Sequence, residues 1–189
     1  MPEASGVPQS VDLQRQLTAD HIEIWLAEGF LKLRWWVLIV LYIVCAVVWW
    51  KLLDKRRLKE ILVFTALAYI AVLAINEYGQ ELILWGYPTD VLPVFPPFSS
   101  VNLLLLPTIY SLIYQHFSSS RSYFVAESAV TVLFCVALEP LLAWGGFFEL
   151  LNWKYWLSIP VYAIMALLVK MLTVKVLKIT VKSREAKGW

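Results

Sequence analysis

Carboxylates and amides cluster near the end of one apolar stretch of the chain. Asn76, Glu77, Gln80 and Glu81 follow a long run of aliphatic residues. Residues four apart lie on one face of a helix, so Asn76 stands over Gln80 and Glu77 stands over Glu81. Ionisable side chains inside a membrane span are costly and usually functional. This cluster is therefore the first place to look for chemistry.

A second apolar stretch carries Glu139, followed by Pro140. If both stretches cross a membrane in the same direction, Glu77 and Glu139 are the seventeenth and eighteenth residues of their spans. Their depths then differ by only about 1.5 Å. Two carboxyls in apolar surroundings resist ionisation, and such a pair can act as acid and base, relay protons or hold a cation. The spacing predicts a shared pocket with Glu77 and Glu139 as candidate catalytic acids, whereas Glu127 lies near its helix start and is expected to be exposed.

Other polar and aromatic residues are expected at the same depth in the outer half of the bilayer. The predicted ligand-binding set is Asn76, Glu77, Gln80, Glu81, Asn102, Glu139, Trp144 and Trp153, and the predicted pocket walls are Tyr69, Phe98, Tyr110, Tyr114 and Trp144. Two other interpretations stay open. Such groups can hydrogen-bond between helices as packing contacts, or they can simply sit in the headgroup region.

Metal and cofactor chemistry find no support in the residue pattern. His21 and His116 have no further His, Cys or carboxylate at ligand spacing, so no metal is predicted. The sequence contains no phosphate-binding loop, dinucleotide glycine fingerprint or nucleophile elbow, so no cofactor is predicted either.

Five apolar segments must position these residues. They cover residues 35–53, 61–85, 99–117, 122–146 and 155–177. Each is close to the ~20 residues that cross ~30 Å of hydrocarbon as a helix. The fold prediction is an all-α polytopic transmembrane bundle over residues 35–177. Residues 1–17 are predicted to be a mobile polar tail, residues 18–34 an amphipathic interfacial helix and residues 178–189 a basic cytoplasmic tail.

Composition agrees with a chain that lives in a lipid bilayer. Of its 189 residues, 60% are hydrophobic and 16% are charged, whereas soluble domains are typically about 45–50% apolar and about 25% charged. Ten tryptophans are present, and indole rings favour the membrane–water boundary. The net charge of +2, without a basic patch, argues against nucleic acid as a partner.

The distribution of basic residues predicts the orientation. With the N-terminus outside, twelve Lys and Arg residues fall on the cytoplasmic side and four, Arg15, Lys32, Arg34 and Lys154, fall outside. Cytoplasmic loops carry the excess of basic residues in membrane proteins. The sequence therefore predicts a multi-pass protein of the cell membrane with its N-terminus outside and its C-terminus in the cytoplasm.

Three stretches resemble a family of small multi-pass membrane proteins of spore-forming bacteria. They are GYPTDVLPVFPPF, SSVNLLLLPTIY with YQHF at its far end, and LEPLLAWGGFFELLNWKYWLSIPVY. The resemblance covers about half of the chain and implies a membrane fold of four or five helices. It brings no established activity. Within it, Glu139, Trp153 and the turn from Gly86 to Pro88 look like the polar and aromatic marks of the family.

Three functional hypotheses follow. The first is binding or transport of a lipid or small amphipathic molecule in the outer-half pocket. The second is an integral-membrane enzyme acting on a lipid or isoprenoid with a protonated glutamate as general acid, an analogy at the level of fold with membrane terpene cyclases. The third is an accessory subunit that packs against a membrane-protein partner.

Overall fold

The computed structural model describes residues 7–93, 100–117 and 119–186. The helices are α1 (Val7–Ile24), α2 (Leu33–Leu52), α3 (Leu58–Glu81), α4 (Val101–His116), α5 (Ser120–Leu133), α6 (Glu139–Trp144) and α7 (Tyr155–Ala186). One π turn, Trp25–Gly29, follows α1, and another, Phe134–Leu138, joins α5 to α6. Two short strands, β1 (Trp85–Gly86) and β2 (Glu149–Leu150), pair antiparallel. The protein is an all-α transmembrane bundle, as predicted.

Among the described residues, four helical segments are long and apolar enough to cross a membrane. They are Leu33–Leu52, Lys55–Glu81, Ser120–Trp144 and Tyr155–Ile179. The remaining predicted span, 99–117, corresponds to α4, which has 16 residues and is about 24 Å long. Nine of these residues are buried, because α4 lies in the middle of the bundle, against α2, α3 and α5.

Three boundaries differ from those predicted. Helix α1 already begins at Val7, inside the stretch expected to be a mobile tail. Helix α3 ends at Glu81 and not at residue 85, since the chain turns through Ile83 with φ of 54° to enter β1. Helix α7 continues to Ala186 through the expected basic tail. The predicted wall residue Phe98 lies outside the described residues.

The core is built from residues of α3, α4, α5 and α7, together with the π turn Phe134–Leu138. On α3 the buried residues recur every three or four positions, at Ile61, Phe64, Ala68, Val72, Asn76 and Gly79, which is the period of one helix face. Three of them, Phe64, Ala68 and Val72, share one core cluster with Leu103, Leu106 and Tyr110 of α4 and with Tyr162, Met165 and Ala166 of α7. Helix α2 is peripheral, with Leu38 as its one buried residue.

The two strands close one end of the bundle, which we call the ribbon end. The backbone N–H groups of Leu151 and Asn152 donate to the carbonyl of Leu84, at 2.9 and 3.1 Å. Trp85 packs onto Gly79 so closely that a Cβ on this glycine would lie 1.9 Å from the indole ring. The ribbon therefore sits directly on the end of α3.

Polar contacts close the opposite end. Arg57 donates two hydrogen bonds to Glu60, at 3.1 and 2.7 Å, and the hydroxyl of Tyr114 donates to the same carboxylate at 2.6 Å. The side chain of Gln115 accepts from the backbone N–H of Asp54 and donates to the carbonyl of Leu52. These bonds fasten the turn between α2 and α3 to the last turn of α4.

Candidate functional site

A buried polar cluster lies at the ribbon end of the bundle. The hydroxyl of Tyr87 donates to Asn76 Oδ1 at 2.9 Å and accepts from Asn102 Nδ2 at 3.1 Å. Asn76 Nδ2 in turn donates to the hydroxyl of Ser100 at 3.1 Å. All four side chains are buried. The structure thus brings together the predicted residues Asn76 and Asn102, and adds a tyrosine from the ribbon-end loop that links them.

Glu139 is fully buried beside this cluster. Tyr162 and Ser158 of α7 lie close enough for their hydroxyls to interact with its carboxyl group, and Tyr87 is within electrostatic range. Ser158 also accepts a hydrogen bond of 3.1 Å from the indole N–H of Trp153. Among the described residues, neither carboxyl oxygen of Glu139 has a hydrogen bond of good geometry. A buried carboxyl without partners is expensive, and such groups call for a functional explanation.

The π turn sets the direction in which Glu139 points. Its backbone N–H donates to the carbonyl of Phe134, five residues back. Glu139 follows Glu127 by twelve residues, which in a regular α-helix leaves the two side chains about 120° apart. A π turn accommodates one additional residue and removes about 100° of that difference. The two glutamates consequently share the buried face of the helix.

Glu127 is buried and not exposed, contrary to the sequence-based expectation. It is 0% accessible, and its Oε1 accepts a hydrogen bond of 2.7 Å from Thr131. The hydroxyls of Thr131 and Tyr110 share a further hydrogen bond of 2.9 Å. Among the described residues, Glu127 Oε2 has no partner. The expectation failed because Tyr110 of α4 and Tyr123, one turn earlier in α5, lie beside this carboxyl in the core.

Glu77, Gln80 and Glu81 lie elsewhere, in a groove of about 580 Å³ between the end of α3 and α1. Leu17, Asp20 and His21 form part of its other wall. Asn76 faces the core while Glu77, the next residue, is only partly buried. No hydrogen bond or ion pair among the described residues joins Glu77 to Glu139. The shared pocket of these two carboxyls stays a prediction. In the structure Glu77 lies in the groove beside α1, whereas Glu139 lies beside Tyr162 and Ser158 of α7.

The two predicted tryptophans have opposite environments. Trp144 is 86% exposed at the end of α6, and its assignment to a pocket wall stays a prediction. It projects outwards because α6 ends there and the chain turns back through Gly145 and Gly146. Trp153 is partly buried and packs edge-on against Trp85, with ring centroids 5.5 Å apart.

Trp153 also lines an apolar groove of about 410 Å³ between the π turn, α6 and the start of α7. The groove passes beside Pro140, which follows Glu139 in the chain. Apolar side chains dominate its walls, and one cation lies among them. The lining residues are Cys135, Val136, Pro140, Leu150, Trp153, Lys154, Tyr155 and Trp156.

A third acid, Asp90, lies in the loop that follows β1. It is 6% exposed, its backbone carbonyl accepts a hydrogen bond of 3.0 Å from Trp25, and burial raises its pKa to about 7. The neighbouring carbonyl of Val91 accepts from Trp35 at 3.1 Å. Two tryptophans thus hold this loop over the polar cluster.

Sequence reasoning missed the hydroxyl side chains of the site. Tyr87, Ser100, Ser158 and Tyr162 are ordinary residues in the sequence, and their role depends on helix rotation and on the path of the ribbon-end loop. Within the described part of the chain, no three His, Cys, Asp or Glu side chains are arranged to hold a metal ion.

Family models, curated proteins and solved structures give no significant match to this chain. No family is shown. The resemblance to membrane proteins of spore-forming bacteria therefore stays a prediction, and any function has to be argued from the geometry above.

Proposed function

We propose that the protein binds an anionic lipid or single-chain amphipathic molecule in the apolar groove that Trp153 lines. The observation that carries the proposal is the combination of apolar walls with one exposed cation, Lys154, in the lining of the groove. The volume of about 410 Å³ falls in the range of sites for small molecules, about 300–1,000 Å³. The acyl or isoprenoid chain would lie against Val136, Pro140 and Leu150.

The same residues indicate where the headgroup of the bound molecule would lie. Trp153, Lys154 and Trp156 stand together at the start of α7. Tryptophan and lysine side chains favour the membrane–water boundary, with the ring or stem in apolar surroundings and the polar tip towards water. With the predicted orientation, this boundary is the outer one. An anionic headgroup would pair with the ammonium group of Lys154.

The enzyme hypothesis receives less support from the geometry. Glu139 precedes the lining residue Pro140 in the chain, but it is fully buried and does not line the groove wall. An acid catalyst has to reach its substrate within hydrogen-bond distance. The accessory-subunit hypothesis has one observation in its favour, the peripheral position of α2 with its one buried residue.

The test compares the lipids that remain bound to purified variants, measured by native mass spectrometry. Val136→Trp fills the groove, and Val132→Trp is the matched control, because Val132 is an exposed residue of α5 that does not line the groove. Wild type and Val132→Trp are expected to retain an anionic lipid that Val136→Trp loses. Lys154→Gln should weaken retention of anionic lipids more than Lys32→Gln, which changes an exposed lysine directly before α2. Equal lipid retention by all four variants would contradict the proposal.

A further inference from the structure

Two fully buried carboxyls share one continuous helix, and neither has a cation beside it. The ion pairs found in the described residues are Arg15–Asp12 and Arg57–Glu60, so Glu127 and Glu139 lack a counter-charge. An ionised carboxylate in this position would have neither water nor a partner. Each is therefore expected to carry its proton at rest. Neither carboxyl lines the groove proposed to bind lipid, so the proposed function gives neither of them a role.

Side chains with hydroxyl groups lie between the two carboxyls. From Glu127 the path passes through Thr131 at 2.7 Å and Tyr110 at 2.9 Å. Tyr162 interacts electrostatically with Tyr110 on one side and with Glu139 on the other. Hydroxyl groups both donate and accept, so each can take up one proton while it releases another. The side chains between the two carboxyls are therefore of a type that can transfer protons.

The path reaches the surface loop at the ribbon end. Glu139 interacts with Tyr87, and Tyr87 lines a cavity of about 60 Å³ together with His21, Glu28 and Asp90. A water needs only about 10–15 Å³ of such space. At the opposite end, a groove lined by Ser119, Ser122 and Ala126 comes within one residue of Glu127 along the helix. Neither carboxyl lines these cavities itself, so the entry and exit of a proton require a movement of Tyr87 at the ribbon end and of the first turns of α5 at the opposite end.

We propose that Glu127 and Glu139 are the two proton-carrying sites of a relay along the axis of the bundle. In each step a carboxyl or hydroxyl O–H bond breaks as the next oxygen in the path gains that proton and releases its own. Nothing is oxidised or reduced, and one proton leaves for each proton that enters. Among the described residues no hydrogen bond joins Tyr110 to Tyr162 or Tyr162 to Glu139, so both of these steps require a water molecule or a turn of a hydroxyl.

The groups around each carboxyl are neutral partners suited to this role. Tyr110, Tyr123 and Cys135 interact with Glu127. Tyr87, Tyr162 and Cys135 interact with Glu139. None of these is a cation that would hold a carboxylate permanently ionised. Lys170 is occupied elsewhere, with its ammonium 3.3 Å from the carbonyl of Ser119 and over the ring of Tyr123.

The experiment is proton uptake by liposomes that contain the full-length protein and a trapped pH dye, driven by a potassium diffusion potential. Wild type is expected to acidify the lumen faster than protein-free liposomes. Glu127→Gln and Glu139→Gln should each lower the protein-dependent rate by about tenfold or more, since every proton must cross both groups. Glu149→Gln, which changes an exposed carboxyl of β2, should leave the proton rate unchanged.

Tyr110→Phe guards against loss of folding, because it keeps the buried ring and removes only the hydroxyl. It should melt within a few degrees of wild type and still lower the proton rate. A wild-type rate equal to that of empty liposomes would overturn the relay. So would Tyr110→Phe, Glu127→Gln and Glu139→Gln variants that conduct as fast as wild type.

Discussion

At the scale of single residues, burial is the property that gives the acids of this protein their chemistry. Glu127, Glu139 and Asp90 are all less than a tenth exposed, and each has at least one carboxyl oxygen without a partner among the described residues. Asp90 differs from the other two because it lies in a loop and not in a membrane-spanning helix. The ionisation of Asp90 can therefore be followed through the pH dependence of the stability of the protein.

Asp90 predicts how the stability of the protein depends on pH. Burial raises its pKa from 3.8 to about 7, so between these values the folded protein holds a proton that the unfolded chain has released. Asp90 therefore makes its full contribution to the free energy of unfolding below pH 3.8. This contribution decreases and is lost as the pH rises to about 7. Asp90→Asn removes the ionisable group and with it this pH-dependent loss of stability.

Thermal melts in detergent at a series of pH values measure the effect. The stability of Asp90→Asn relative to wild type should increase from about pH 4 to about pH 7 and stay constant above that. Glu149→Gln, which changes an exposed acid of β2, is the control and should follow wild type. A constant difference between Asp90→Asn and wild type across this pH range would contradict the assignment.

At the scale of elements, the π turn Phe134–Leu138 decides which side chains face the core. Without it, Glu139 would be rotated by about 100° away from the face that carries Glu127 and Thr131. Pro140 follows directly, and a proline inside a helix already disturbs the backbone hydrogen bonds around it. The irregular segment between α5 and α6 is thus a positioning device for Glu139.

Deletion of one residue distinguishes the π turn from regular helix. Removing Ala137 should convert the π turn into an α-helical turn and keep both glutamates on the buried face, with a small loss of stability. Removing Ala129, also an exposed alanine but within regular α5, rotates Thr131 away from Tyr110 and should cost several degrees more in melting temperature. Circular dichroism melts compare the two. A deletion of Ala137 that is as harmful as that of Ala129 would refute this role.

At the scale of the whole molecule, the bundle has two chemically different ends. The ribbon end combines Trp25, Trp35, Trp85 and Trp153 with a polar cluster, and the opposite end is fastened by Arg57, Glu60 and Gln115. Most Lys and Arg residues fall in the segments that the sequence assigns to the end of the bundle opposite the ribbon. This distribution predicts that the opposite end is cytoplasmic.

Labelling of single cysteines tests that orientation. Arg56→Cys and Glu149→Cys place an exposed thiol at opposite ends, in a background where Cys45 and Cys135 are replaced by alanine. An impermeant maleimide added to intact cells should react with Glu149→Cys and should reach Arg56→Cys only after permeabilisation. Each variant is the control for the other. The reverse labelling pattern would refute the orientation with the N-terminus outside.

The sequence by itself determined the class of fold, because continuous apolar runs of about twenty residues can satisfy their backbone in lipid only as helices. It also placed Asn76, Asn102 and Glu139 near one end of the bundle, since depth follows from counting residues along a helix. Rotation does not follow in this way. It depends on packing and on the extra residue in the π turn, and it is rotation that turned Glu127 inwards, Trp144 outwards, and Glu77 and Glu139 towards different neighbours.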